Sequence, residues 1–398
     1  MTTPARKIAL FFLCAAALLA TPLIAQHFGQ AWVRIIDLAL LYVLLALGLN
    51  IVVGYAGLLD LGYVAFFAVG AYLYGLLASP HLTDNFPDVF TAATNGGLHI
   101  SPWLVIPLGA ALAALAGVLL GSPTLKLRGD YLAIVTLGFG EIIRVFINNL
   151  DAPVNVTNGP MGINQVDSIK LFGLDLGQPL VVAGFTLPPV TLYYYLFLAL
   201  VVIAVVISLR LQDSRIGRAW MAIREDEIAA KAMGINTRNM KLLAFGMGAS
   251  FGGVSGSMFA AFQGFVSPES FSLMESVMIV AMVVLGGIGH LPGVILGAVL
   301  LAALPEVLRY VAGPLQAMTD GRLDSAILRQ LLIALAMIIV MLLRPRGLWP
   351  SPEHGKGRVP GGANKITPTT AQQNPPGVDF PADAVPGNTE RRQYPINP

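Results

Sequence analysis

A series of apolar runs, each nearly long enough to cross a lipid bilayer, recurs along this chain and limits the folds that it can adopt. Examples are LLYVLLALGLNIVV at 40–53, LYYYLFLALVVIAVVI at 192–207 and QLLIALAMIIVMLL at 330–343. A transmembrane helix needs roughly 17 to 25 mostly apolar residues. Only 12% of this chain is charged, about half the share usual in a soluble domain. The sequence therefore predicts an all-α polytopic membrane protein.

The apolar segments predict about ten transmembrane helices, within a range of roughly eight to ten. Two glycine-containing interruptions, at 54–60 and 287–292, are so short that the spans flanking each could instead form one broken helix. Broken helices occur in membranes where the backbone is buried in protein or lines a cavity. The sequence leaves open whether these interruptions are loops or kinks. The predicted spans are 8–26, 35–53, 60–78, 103–121, 131–149, 190–210, 242–263, 273–289, 293–312 and 327–343.

Basic residues are distributed unevenly between the two sides of these spans. With the N-terminus inside, 6 of the 24 Lys and Arg residues fall on the outer side and the other 18 on the inner side. Loops rich in Lys and Arg stay in the cytoplasm. The asymmetry therefore predicts that both termini are cytoplasmic.

The chain divides by composition into two regions. Residues 1–343 contain the apolar runs and form the predicted transmembrane domain. Residues 344–398 are rich in proline and show no apolar periodicity. A segment that cannot bury apolar surface remains unfolded, so we predict a disordered cytoplasmic tail.

The longest polar interval between apolar segments is 210–241, which carries seven basic residues and is predicted to be a cytoplasmic loop. Within it, RAWMAIREDEIAAKAM at 218–233 contains no Pro or Gly, and Gly234 follows as a stop signal. This pattern predicts a single helix. Such a helix could lie at the membrane surface or could dock a cytoplasmic partner.

Several ionisable or amide side chains fall within or beside the predicted spans, where they are expensive and often functional. Glu141 and Arg144 are three residues apart and can pair on one helix face. Asn50 and Asp60 flank the first interruption. Glu275 begins a span. Each could line a translocation path. The alternatives are a self-neutralised pair for Glu141 and Arg144, pairing with freed backbone groups for Asn50 and Asp60, and a favourable helix N-terminal charge for Glu275.

No soluble catalytic motif is present. The chain contains no G-x-x-x-x-G-K-[ST] phosphate loop and no H-E-x-x-H pair, and its single cysteine cannot form a disulfide within the chain. We therefore expect a protein that is not an enzyme, that needs no cofactor or metal, and that binds a lipid bilayer rather than nucleic acid.

Four stretches resemble one known family. They are GLNIVVGYAGLLDLGYVAFFAVGAY at 48–72, GDYLAIVTLGFGEIIRV at 129–145, the block from IGRAWMAIRED to GSMFA at 216–260, and PESFSLMESVMIVAMVVLGGIGHLPGVILGAVLL at 268–301. In them the chain resembles the permease subunits of branched-chain amino acid ABC importers, specifically the M-type subunit of the leucine/isoleucine/valine system.

The resemblance implies a subunit of the bacterial inner membrane that forms one pathway with a second, H-type permease. It also implies two cytoplasmic ATPase subunits and a periplasmic substrate-binding protein as partners. Members carry a coupling helix with an E-A-A-x-x-x-G-like pattern that docks on the ATPase. Here the glutamate position is Ile228 and the acid stands one place earlier. The residues expected to couple to the ATPases are Arg218, Arg224, Glu225, Asp226, Glu227, Ala229, Ala230 and Gly234. The candidate path residues are Asn50, Asp60, Glu141, Arg144 and Glu275.

A second hypothesis is an ion-coupled secondary transporter of small amino acids or amides, with Glu141, Asp60 or Glu275 as the coupling group. Such a carrier has no need of a docking helix in its largest cytoplasmic loop. The 210–241 segment therefore favours the ABC importer.

Overall fold

The structure is a computed structural model. It describes residues 4–349 except 28, 87–97, 126, 128, 172, 183, 184, 319–330, 332, 333, 336, 337, 340, 341 and 344–346; for 4–12, 14, 15, 182, 185 and 308–318 it describes the backbone alone. The helices are α1 (Pro4–His27), α2 (Gln30–Leu49), α3 (Val64–Leu77), α4 (His81–Asn85), α5 (Pro102–Thr124), α6 (Asp130–Asn148), α7 (Pro189–Asp213), α8 (Arg215–Glu225), α9 (Glu227–Ala232), α10 (Thr237–Gln263), α11 (Leu273–Gly286) and α12 (Leu291–Met318).

Helices dominate the described part of the chain, which confirms the predicted all-α membrane fold. The strands are two or three residues long and form three separate antiparallel pairs. They are β1 (Ile163–Asn164), β2 (Lys170–Leu171), β3 (Leu174–Asp175), β4 (Leu180–Val182), β5 (Phe185–Leu187) and β6 (Phe265–Val266).

Among the described helices, four are long and apolar enough to cross a membrane, namely Gln30–Tyr55, Pro102–Thr124, Pro189–Asp213 and Thr237–Gln263. Shorter apolar helices cover Val64–Leu77, Leu273–Gly286 and Leu291–Val307. Most of the tenth predicted span, 327–343, lies outside the described residues. The count of about ten spans therefore stays a prediction.

Helix α10 is the centre of the bundle and packs against α2, α3 and α5. Its glycines allow this approach. A Cβ on Gly256 would lie 2.1 Å from the carbonyl oxygen of Phe67, and a Cβ on Gly70 would lie 2.1 Å from that of Gly253. Membrane helices gain little from apolar burial against one another, so close backbone packing of this kind holds them together.

The first interruption is a break in the helix. Helix α2 continues as a π-helix over Asn50–Tyr55, and no regular structure follows until α3 begins at Val64. The Tyr63 hydroxyl donates to the carbonyl of Gly248, 2.9 Å away and near the middle of α10. Helix α3 therefore starts beside the middle of the bundle. Its 14 residues extend about 21 Å, less than the roughly 30 Å of a bilayer core.

The second interruption is a tight turn between α11 and α12. Gly287 and Gly289 have φ of 121° and 81°, which glycine adopts without a steric penalty. Across the turn a Cβ on Gly286 would lie 2.3 Å from the carbonyl oxygen of Gly293. Helices α11 and α12 therefore leave the turn in backbone contact.

Residues 347–349, at the start of the predicted tail, pack on this turn. The N–H groups of Leu348 and Trp349 donate to the carbonyls of Leu285 and Gly286, at 2.8 and 3.2 Å. These carbonyls belong to the last turn of α11, where carbonyl groups have no hydrogen-bond donors within their own helix. The rest of the predicted tail, 350–398, lies outside the described residues.

The bundle has two distinct ends. At the strand end, β1 pairs with β6, with Ile163 opposite Val266, and the Tyr193 hydroxyl at the start of α7 donates to Ala261 near the end of α10. At the opposite end, called here the segment end, lies 210–241. Helix α1 leads into α2 at the strand end, which directs its N-terminus towards the segment end, where residues 347–349 also lie.

Candidate functional site

The 210–241 segment is fixed to the end of the bundle by helix α8. The Ser214 side chain caps α8 by accepting the N–H of Gly217, as serine commonly does at a helix start. Trp220 is fully buried, and its indole N–H donates to the carbonyl of Met240 at the start of α10, 2.7 Å away. The segment is therefore a packed extension of α7 and α10.

The predicted single helix over 218–233 is wrong, because the structure divides it into α8 and α9. The division falls at Asp226, whose backbone is extended (φ −153°, ψ 110°). Its carboxylate accepts the N–H groups of Ile228 and Ala229 at 2.8 and 3.0 Å. Aspartate favours helix starts over helix interiors because its side chain competes for backbone donors. The sequence carried that signal.

Helix α9 presents an apolar surface to solvent, called here the tip, which is formed by one side chain near its start and one just after its end. Ile228 is 71% exposed and Met233 is 84% exposed, whereas Ala230 between them is buried. Gly234 ends the helix with φ of 85°, which makes any side chain there strained. The tip thus combines an exposed apolar surface with a rigid stop.

Glu227 forms an ion pair with Lys241 of the same chain. Its carboxylate lies 2.7 Å from Lys241 Nζ, and the Lys241 side chain is only 8% exposed. The pair joins the start of α9 to the second turn of α10, so α9 is fixed at its start.

Arg224 reaches from α8 into the membrane helices. Its Nη1 donates to the carbonyl of Gly54 at 2.5 Å. Its stem covers Gly57, where a Cβ would lie 2.7 Å from Arg224 Cγ, and Nη1 would lie 2.9 Å from a Cβ on Gly289. We call Arg224, Gly54, Gly57 and Gly289 the Arg224 junction. Through it one side chain contacts both helix breaks.

The remaining predicted coupling residues lie around these elements. The Arg218 Nη1 donates to the carbonyl of Asp213, 2.7 Å away, within its own end of the segment. Glu225 is exposed in the last turn of α8, and Ala229 is exposed on α9. The coupling role of all of them stays a prediction.

Asn50 joins the two breaks directly. Its Oδ1 accepts the backbone N–H of Gly289 at 2.9 Å. A Cβ on Gly54 would lie 2.1 Å from the same oxygen, so glycine at 54 makes room for this bond. Asn50 therefore pairs with a freed backbone group, and its place on a translocation path stays a prediction.

Asp60 is buried within the first break. Its Oδ1 accepts the N–H of Gly62 at 2.9 Å, and the neighbouring N–H of Leu61 donates to Thr136 at 3.0 Å. A cavity of about 10 Å³ adjoins Asp60, room for about one water molecule. The side chains here satisfy irregular backbone that a membrane requires to be paired.

Glu141 and Arg144 form a two-point ion pair on α6. Arg144 Nε and Nη2 lie 3.0 and 2.5 Å from Glu141 Oε1, and Glu269 lies 4.0 Å from Arg144 Nη1. The Glu141 side chain is 41% exposed. The pair neutralises itself on the outside of the bundle, and a role on the path stays a prediction.

Glu275, in the first turn of α11, accepts a hydrogen bond from the Tyr42 hydroxyl at 2.9 Å. The two side chains adjoin a cavity between α2, α3, α10 and α11. A predicted path residue here adjoins a cavity of about 150 Å³, much larger than the one beside Asp60.

Two residues near these sites are not among the predicted path residues. Tyr42 gave no signal, because a tyrosine in an apolar helix is ordinary. Asp37 did give one, since it is a carboxylate within an apolar run. Asp37 is fully buried on α2, and neither of its carboxylate oxygens has a hydrogen-bond partner among the described residues. Within the same residues, no group of three or more His, Cys, Asp or Glu could hold a metal ion.

Comparison with known proteins identifies the family to which the chain is similar. Residues 31–341 match the family described as branched-chain amino acid transport system, permease component. The chain is 40% identical over 334 residues to the high-affinity branched-chain amino acid transport system permease protein LivM of Escherichia coli (strain K12), covering 81% of this chain and 71% of that protein. It is 25% identical over 337 residues to the permease protein LivH of Salmonella typhimurium, covering 82% and 97%. No solved structure gives a significant match.

Proposed function

Since this chain belongs to the family of branched-chain amino acid transport system permease components, we propose that it is the M-type permease subunit of an ATP-driven importer of branched-chain amino acids. It forms the translocation path with an H-type permease in the bacterial inner membrane. Two cytoplasmic ATPases drive it, and a periplasmic binding protein delivers the amino acid. The members that it resembles are transport permeases and not enzymes.

The observation that carries this proposal is the construction of the 210–241 segment. Its α9 tip offers exposed Ile228 and Met233 to a partner, and its base is fixed by the Lys241–Glu227 pair. Through the Arg224 junction it contacts both helix breaks. A force applied at the tip by closing ATPases would therefore reach the irregular backbone, where helices are most easily displaced. A secondary carrier has no use for such a segment.

The orientation of the chain is part of the proposal. The segment end carries the basic 210–241 interval, and residues 347–349 pack there. Lys and Arg are retained on the cytoplasmic side. We therefore assign the segment end, with both termini, to the cytoplasm and the strand end to the periplasm.

Partner composition and docking can be tested together. The tagged chain is purified from detergent-solubilised native membranes, and its co-purifying subunits are identified. We expect a second permease and two ATPases. In the variant Ile228→Asp/Met233→Asp the ATPases should dissociate. Losing two apolar side chains that become buried on docking costs about 3 kcal/mol, roughly a hundredfold in affinity.

Met161→Asp is the matched control, since Met161 is 76% exposed but lies at the strand end. It should retain the ATPases. A wild-type chain that purifies alone and transports on an ion gradient without ATP would refute the importer. Undiminished ATPase binding by the double variant would refute the docking surface alone.

A further inference from the structure

The cavity beside Glu275 has a defined place in the fold. Its volume is about 150 Å³. Tyr42, on its wall, lies midway between Gln30 and Tyr55, the ends of the continuous helix formed by α2 and its π-helical extension. Glu275 lies in the first turn of α11, which starts beside this midpoint. The cavity is therefore near the centre of the bilayer, where a crossing solute must leave water. Its lining residues are Leu38, Leu41, Tyr42, Phe67, Phe259, Ser270 and Glu275.

Polar groups lie on one part of this wall. The Tyr42 hydroxyl donates to Glu275 Oε2 at 2.9 Å, which orients the carboxylate, and Ser270 adds a hydroxyl. No described Lys, Arg or His lies within ion-pair distance of Glu275. A half-buried carboxylate without a cation is costly in a membrane unless a cation reaches it.

Apolar groups form the rest of the wall. Leu38 and Leu41 come from α2, and Phe67 and Phe259 from α3 and α10. A cavity of about 150 Å³ has room for a molecule the size of benzene, close to that of a short branched hydrocarbon chain. Aromatic faces also attract a cation that lies over them. The cavity therefore offers a negative charge and apolar walls to one small solute.

A purely structural role for Glu275 explains fewer of these observations than a role in binding a cation does. A carboxylate in the first helical turn is favoured by the helix dipole, which accounts for its position on α11. That role requires neither the Tyr42 hydroxyl, 233 residues away in sequence, nor the open space beside the carboxylate.

We propose that this cavity is a subsite on the translocation path that takes a free amino acid with a short branched apolar side chain. The α-ammonium group of the solute pairs with Glu275, and its side chain lies against Leu38, Leu41, Phe67 and Phe259. The inference rests on the proposed function, because it assumes that such amino acids cross through this chain.

The first test is ATP-dependent uptake of L-leucine by the complete importer in proteoliposomes, with its binding protein present. Glu275→Gln removes the charge but keeps an oxygen that accepts the Tyr42 hydrogen bond. We expect uptake to fall about tenfold or more, because truncating one partner of a buried charge pair is costly. Glu275→Asp restores the charge and should recover part of the rate.

Two further variants separate the cavity from its surroundings. Glu269→Gln removes a carboxylate that is 77% exposed and lies outside the cavity, so uptake should be unchanged. Leu38→Trp places bulk in the cavity and should slow uptake, whereas Leu40→Trp, on another face of α2, should slow it less. Wild-type uptake by Glu275→Gln or Leu38→Trp would overturn the subsite. Equal loss in Glu275→Gln and Glu275→Asp would also overturn it, in favour of a structural role.

A second measurement does not depend on turnover. The purified complex is irradiated with L-photo-leucine, a diazirine analogue, and the labelled peptides are identified. We expect label on peptides containing 38–42 and Phe259, with less label in Glu275→Gln. Label that is unaffected by this variant or lies elsewhere overturns the subsite. Failure of the proposed function is distinguishable, because the wild-type complex would then take up no leucine at all.

Discussion

Replacing Arg224 with methionine should uncouple ATP hydrolysis from uptake. Methionine keeps an unbranched stem against Gly57 but removes the guanidinium that donates to the carbonyl of Gly54 at 2.5 Å. The 210–241 segment would then retain its capped helices and its Trp220 anchor, while losing its hydrogen bond to the first helix break. The variant therefore separates folding of the segment from its connection to the membrane helices.

The expected loss of coupling depends on how exposed the Arg224–Gly54 hydrogen bond is to water. A hydrogen bond to a charged group contributes about 1.5–3 kcal/mol when it is protected from water. Arg224 is exposed, so solvent competes for it and about 1 kcal/mol is the better value. That free energy corresponds to roughly a fivefold change in the population of the connected state. Uptake per ATP hydrolysed should fall by about the same factor.

The assay measures leucine uptake and ATP hydrolysis on the same proteoliposomes, and reports their ratio. Arg218→Met is the control, because Arg218 donates to Asp213 within its own end of the segment and does not reach the breaks. An Arg224→Met importer with the wild-type ratio would rule out a role of this hydrogen bond in coupling. So would an equal fall in Arg218→Met, because the effect would then come from charge alone.

A double variant tests whether the junction acts as one unit. Gly289→Ala places a Cβ 2.9 Å from Arg224 Nη1, and its positive φ adds roughly 1–2 kcal/mol of strain. If Gly289→Ala acts on coupling by displacing Arg224, adding Arg224→Met should lower the ratio no further. Residues in contact give such non-additive effects, whereas independent ones add. Additive losses would separate the two residues.

Three further changes test the packing. Gly70→Ala should destabilise the α3–α10 contact by about 1–3 kcal/mol and lower the melting temperature of the detergent-solubilised complex, because its Cβ would lie 2.1 Å from the carbonyl oxygen of Gly253. Gly138→Ala is the control, since no atom lies within 4 Å of its Cβ, and it should leave the melting temperature unchanged. An equal fall in both variants would contradict the contact. Lys241→Met should destabilise the 210–241 segment by about 1–2 kcal/mol, because the Glu227 carboxylate that loses its partner keeps partial access to water. Unchanged thermal unfolding would show that the ion pair contributes nothing to stability. Asp226→Ala removes the cap of α9, worth about 1 kcal/mol, and should speed hydrogen exchange at 228–230; exchange at the wild-type rate would argue against the cap.

Local sequence patterns were enough to predict the helical membrane fold and the position of the 210–241 segment. Both depend on local properties: an apolar run of sufficient length must form a helix in lipid, whatever surrounds it. The end of the helix at Gly234 was also predictable. Asp226 is a residue type that favours helix starts, but the uninterrupted helical pattern over 218–233 outweighed that preference in the prediction. The glycine interruptions marked the two breaks, although not their form.

Tertiary structure alone decided what meets at those breaks. Arg224 contacts Gly54 across 170 residues of sequence, and Tyr42 contacts Glu275 across 233. Neither pair shares a helix face or a sequence period, so no local pattern predicts it. Their meeting depends on how α2, α3, α10 and α11 pack, and that packing is set by close backbone approaches at glycines. The sequence thus supplied the charges and the breaks, and only the packed bundle could bring them together, because helix packing fixes which side chains share a space.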